Sequence, residues 1–152
     1  MITISINKYG MELSMAPSHE ESKKYTRHKG NSLLSLPDNY IVLDLETTGY
    51  NPRFDEIIEV ACIRYSGSKE IDTFHSYVQP MPYEDDEDGS MHYVDDFITK
   101  LTGISYDMLA DAPKFEDIAK DLYDYIGDSV IVGHNVNFDI NFLYDYFLNC
   151  FG

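Results

Sequence analysis

No run of apolar residues approaches the ~18 needed to span a bilayer, and that absence excludes a transmembrane reading. The opening residues, Met1-Ile-Thr-Ile-Ser-Ile-Asn-Lys8, lack a basic flank leading into a continuous apolar stretch, so no secretory leader is expected. Cysteine is scarce. Cys62 and Cys150 fit no metal-ligand spacing and read as two reduced thiols of a cytoplasmic protein. Positive charge is scarcer still relative to its opposite: 11 lysines and arginines stand against 27 acids, a formal net of −16. A body this acidic does not hold nucleic acid by a broad basic face, because duplex binding rests largely on neutralising phosphates. It leaves room for a compact site where divalent cations meet the phosphates instead. A length of 152 residues fits one domain.

Residues 1–36 are mixed and polar, and they hold five of the bases and only three acids. They read as an N-terminal extension, with a short strand at Ile2–Ile6 followed by a poorly ordered arm. The basic run Lys23-Lys-Tyr-Thr-Arg-His-Lys29 is a candidate nucleic-acid contact, or a solvated tail. From Pro37 the pattern sharpens. Tyr40-Ile-Val-Leu-Asp-Leu-Glu46 reads as a buried strand ending in the turn Thr47-Thr-Gly-Tyr-Asn-Pro52. Glu56–Tyr65 and Lys69–Gln79 follow as second and third strands of an antiparallel meander. Residues 83–92 carry five acids and read as a surface loop. A calcium loop is excluded there, because its glycine and final glutamate spacing are missing. Helices are expected over Asp95–Leu101, briefly from Ser105, and over Lys114–Ile126, where Phe115, Ile118, Ala119, Leu122 and Ile126 share a face. Val130–Val132 reads as a buried strand. Asn135 is the expected cap of a last helix with Phe138, Phe142, Leu143 and Phe147 on its apolar side. The order describes an α/β domain with a mixed sheet.

Two places carry chemistry. Asp44 and Glu46 stand two apart at the end of a strand, hence on one side of the sheet. Two carboxylates so placed can share a hard divalent cation; without one they repel, and one tends to take up a proton. A solvated strand face is the blander alternative. Asp139 lies in Gly133-His-Asn-Val-Asn-Phe-Asp139, at the start of a helix following a buried strand, where ligands of open α/β sheets gather. It is a candidate third carboxylate, or a residue that complements the helix dipole.

Asp44-Leu-Glu-Thr-Thr-Gly49 resembles the first exonuclease motif of the DEDD superfamily, which includes the proofreading epsilon subunit of bacterial replicative DNA polymerase and ribonuclease T. His134-Asn-Val-Asn-Phe-Asp139 resembles its second motif, and Ile98–Ile104 with Asp111-Ala-Pro-Lys-Phe115 resembles the segment between. The likeness spans about residues 38–150. It implies a ribonuclease H-like fold and metal-dependent 3′→5′ hydrolysis at a single-stranded DNA or RNA end. It also implies two magnesium or manganese ions about 3.5–4 Å apart, and a DNA polymerase as a candidate partner. By carry-over, Asp44 bridges both ions, Glu46 holds the ion that activates water, and Asp139 supports the other. Thr47 (through its backbone) and Thr48 receive the terminal nucleotide, with Ile104 and Phe138 as walls around it.

The family's third motif, a histidine or tyrosine paired with a fourth carboxylate, has no counterpart, since no histidine follows His134. His134 and Asp139 match its bare spacing, but Asn135 and Phe138 assign that stretch to the second motif. His75 and His92 lie outside any motif. The expectation is therefore a C-terminally truncated exonuclease domain over residues 37–152, weakly active or inactive, with no general base of its own. The alternatives are a non-catalytic nucleic-acid- or polymerase-binding relic of the same fold, and a metal-dependent phosphatase. The phosphatase lacks a phosphate-binding glycine loop.

Overall fold

The computed structural model describes residues 2–7, 10–15, 35–85 and 89–152. Met1–Leu34 and Ser35–Gly152 form two compact units. In the first, β1 (Ile2–Asn7) pairs antiparallel with β2 (Gly10–Met15), Ile2 opposite Met15 and Asn7 opposite Gly10. The second strand was not expected. Its trace in the sequence is the period-2 alternation of Met11, Leu13 and Met15, which mirrors Ile2, Ile4 and Ile6. The basic run at 23–29 lies outside the described residues.

The second unit is built on a four-stranded sheet in the order β5-β4-β3-β8. β3 (Asn39–Thr47) pairs antiparallel with β4 (Ile57–Ser66), which pairs antiparallel with β5 (Lys69–Tyr77). This is the expected meander, and each strand starts and ends within two residues of its reading. In the acidic stretch, read as a loop, β6 (Tyr83–Glu84) and β7 (Met91–His92) pair as a small antiparallel ladder. Then come α1 (Asp96–Thr102), α2 (Tyr106–Ala110), α3 (Phe115–Ile126), β8 (Ile131–Val132) and α4 (Asn137–Phe151). β8 runs parallel to β3, pairing only with Ile41 and Val42. The mixed sheet with flanking helices is a ribonuclease H-like α/β fold.

Alternation divides β3. Ile41, Leu43 and Leu45 are buried, while Asp44, on the opposite face, is exposed. The buried set packs with Phe115, Ala119 and Leu122 of α3 and Phe142 and Leu143 of α4. A bulge opposite the Glu46–Thr47 step inserts Ile58 into β4. Ile57 and Val60 therefore face the main core, while Ile58 joins a second cluster with Val94, Ile98, Ile104 and Leu109. Bulges sharpen local twist, and this one lies beside the paired acids.

Helix α1 starts as its sequence suggests: the Asp95 carboxylate accepts from the Ile98 amide at 2.7 Å. It ends at Gly103, whose φ of +78° suits glycine. Helix α4 starts differently from expectation. Asn135 does not cap it; its backbone takes φ +54°, the left-handed region that asparagine tolerates better than most residues. The helix begins two residues later, and the Asn135 carbonyl accepts from the Phe138 amide at 2.8 Å.

Candidate active site

The third acid is fixed by a gap in the sheet. β8 pairs with β3 only as far as Val42, so the edge of β3 beyond it needs other partners. Asp139 supplies one, its Oδ1 accepting from the Leu45 amide at 3.1 Å. That bond ties the first turn of α4 to the residue between Asp44 and Glu46. Asp139 is only 3% exposed, the one buried charged side chain among the described residues. Close approach of the two elements requires Gly133, since a Cβ there would stand 2.7 Å from the Leu43 carbonyl oxygen.

Burial is the main force on Asp139, and it pushes the carboxyl up from 3.8 to about 6. Bonds from its own amide and that of Leu45 pull the other way, and the Asp44 charge adds to the rise. Glu46 is also raised, first by burial and then by Asp44, Glu59 and Asp139. The three acids read from sequence thus stand within one another's fields. Among the described residues, no three His, Cys, Asp or Glu side chains are arranged to hold an ion by themselves. The set is all oxygen donors, and none of the three has a lysine or arginine partner among the described residues. That chemistry fits a hard divalent cation.

Glu59 is a fourth acid beside the site, with no motif in the sequence to mark it. It stands directly opposite Glu46 in the β3–β4 register, and His75 Nε2 lies 2.6 Å from its Oε1. Like charges face to face across a strand pair are unfavourable. The only trace in the sequence is an acid inside the otherwise apolar run Ile57–Ile63.

The remaining candidates divide. The Thr47 hydroxyl donates to the Gly49 carbonyl at 2.6 Å, and Thr48 Oγ1 accepts from the Glu56 amide at 2.9 Å. Both side chains therefore brace the β3–β4 loop. Phe138 is half-buried against Phe142, ring centroids 5.0 Å apart, with Tyr50 edge-on at 6.4 Å. Ile104, expected as a wall, is instead a core residue, 2% exposed. The left-handed turn at Gly103 precedes it, and its amide donates to Thr102 Oγ1 at 3.1 Å. His134 is exposed.

Residues 41–152 match the sequence model of the Exonuclease family. The chain belongs to that family. Over 115 residues it is 37% identical to DNA polymerase III PolC-type of Caldanaerobacter subterraneus, covering 75% of this chain and 7% of that protein. It is 38% identical over 111 residues to the 3′-5′ exonuclease DinG of Staphylococcus aureus, covering 73% of this chain and 11% of the relative. The chain thus spans about a tenth or less of these relatives. The apo structure of exonuclease I superposes with a TM-score of 0.61 at 20% identity, over 76% of this chain and 26% of the other. This likeness places the fold. A related structure is a zinc-bound form of E. coli exonuclease I with single-stranded DNA. No helix among the described residues is long and apolar enough to cross a membrane.

Proposed function

We propose that this chain carries the metal-holding half of a 3′→5′ exonuclease acting on single-stranded DNA or RNA ends. Asp44, Glu46 and Asp139 are the residues that would hold magnesium or manganese. The observation that carries this reading is the Asp139–Leu45 hydrogen bond, which brings the helix-borne acid against the strand bearing the other two. Family membership supports the direction of attack, and the PolC-type relatives make a DNA polymerase the fitting protein partner.

Bound divalent cations would supply Lewis-acid stabilisation of the phosphoryl oxygens and a more acidic attacking water. The chain's residues do the rest. Asp44 and Glu46 present carboxylates from one strand face, and Asp139 presents its own from a buried, fixed position. Thr47 and Thr48 hold rigid the loop against which a terminal nucleotide would lie. His134 is exposed and lies in the second-motif stretch, so none of the residues described at this site is assigned the general-base role. General acid–base assistance is typically worth ~10²–10⁴ in rate, so release by residues 1–152 assayed alone should be slow.

The test is release of 3′-terminal nucleotides from 5′-labelled single-stranded DNA and RNA with manganese, for the full chain and for Asp44→Ala. Slow stepwise shortening from the 3′ end, absent in Asp44→Ala and without added metal, is expected. Internal cleavage, or shortening equal in both proteins, would overturn the proposal.

A further inference from the structure

The loop between β3 and β4 displays two aromatic rings that the described core does not use. Phe54 is 83% and Tyr50 81% exposed, the two most exposed large hydrophobics among the described residues. Exposure on this scale usually marks a mobile loop, but this one is tied at every turn. The Asn51 amide donates to Asp55 Oδ2 at 2.8 Å, and the Arg53 amide to Asn51 Oδ1 at 3.1 Å. The Phe54 and Asp55 amides both donate to the Asn51 carbonyl, at 2.9 and 2.8 Å. Gly49 lies so close to the Asp55 carboxylate that a Cβ would meet it at 2.4 Å. The Phe54 ring is therefore displayed on a braced turn.

Its position and its charge both bear on what it meets. The loop leaves β3 after Thr47, one residue past Glu46, and returns at Glu56, whose carbonyl accepts from the Thr48 amide. Its Tyr50 reaches Phe138, the neighbour of Asp139. Arg53 lies between Tyr50 and Phe54 in sequence, next to Phe54. Arg64 is paired with Asp72 and Lys120 with Asp124, whereas the Arg53 guanidinium has no ion pair among the described residues. A cation and flat apolar rings on the loop that follows the paired acids complement a phosphodiester strand with unpaired bases. They do not complement a duplex, whose bases are stacked away.

We infer that Phe54, with Arg53, is a stacking platform for an unpaired base next to the 3′-terminal nucleotide, Arg53 meeting the adjoining phosphate. This rests on the exonuclease reading and adds to it a residue that favours single strands over duplex ends. Stacking on one aromatic is worth enough to change affinity about 5- to 150-fold.

The experiment uses the full chain with calcium, an oxygen-ligated divalent cation, in place of manganese, and reads binding before any shortening of the probe. The probe is a 12-nucleotide oligothymidylate bearing one 2-aminopurine next to the 3′-terminal nucleotide. Binding should quench the 2-aminopurine. Phe54→Ala should weaken binding about 5- to 150-fold and abolish the quench, Phe54→Trp should restore both, and Arg53→Ala should flatten the salt dependence. All three should keep the wild-type melting temperature, since the side chains are exposed. Unchanged affinity and quench in Phe54→Ala would overturn the inference and leave the ring to a protein contact; so would absence of binding by the wild-type chain. Manganese-dependent release scored separately distinguishes the two claims. Release with Phe54-independent binding sinks the platform alone, whereas Phe54-dependent binding without release sinks the hydrolytic reading alone.

Discussion

Asp139 concentrates the tension of the site in one residue. It is buried and accepts a backbone hydrogen bond, yet its carboxyl is pushed up to about 6. Between 3.8 and that value the folded chain binds more protons than the unfolded one, so this group lowers stability as pH rises through the window. Asp139→Asn keeps an oxygen for the Leu45 amide and removes the charge. In chelator at pH 7 it should be more stable than wild type by up to about 3 kcal/mol, taking ~1.4 kcal/mol per pKa unit. The difference should vanish near pH 4. Urea midpoints of both proteins from pH 4 to 7.5 check this, and parallel curves would show that Asp139 is not strained. The sequence carried the identity of this residue, since its motif and helix-start position were legible. Its burial and its bond to Leu45 were not, because they depend on how the first turn of α4 packs back against β3, a contact 94 residues apart in sequence that no local pattern encodes. Glu59 stayed hidden for a similar reason, because only the strand register sets it opposite Glu46.

At the scale of elements, strands and helices followed from local pattern wherever a face was strongly periodic. The meander and α3 are such cases. Reading failed where backbone conformation overrode side-chain preference. Asn135 is a good capping residue by type, yet it takes the left-handed position that turns the chain from β8 toward α4. Ile104 looked available until the Gly103 turn folded it inward. The junction before α4 is tight, and Gly133→Ala should cost about 2 kcal/mol or more, because the new methyl would meet the backbone of β3. The same variant should lose manganese-dependent release, as α4 and Asp139 are displaced from Leu45. Normal stability with normal activity would show that the junction has slack. Asp95→Ala is a milder control: losing the cap of α1 should cost about 1 kcal/mol and leave metal affinity unaltered, as isothermal titration with manganese would show.

For the whole molecule, the expected boundary at residue 36 gives a direct prediction. Deleting residues 1–36 should leave a cooperative thermal transition for the remainder, whose core of β3, β4, α3 and α4 draws on residues 41–150 alone. A broad or absent transition would withdraw that boundary. The net charge of −16 makes divalent cations the natural mediators between this chain and a phosphodiester, and Asp44, Glu46 and Asp139 are the acids proposed to hold them. The decisive measurement is manganese binding by isothermal titration at neutral pH to the full chain and to Asp44→Ala, Glu46→Gln and Asp139→Asn, each shown by circular dichroism to be folded. Each single variant should lose at least one manganese equivalent, or weaken it more than tenfold. A folded Asp139→Asn that binds manganese as tightly and with the same stoichiometry as wild type would contradict it.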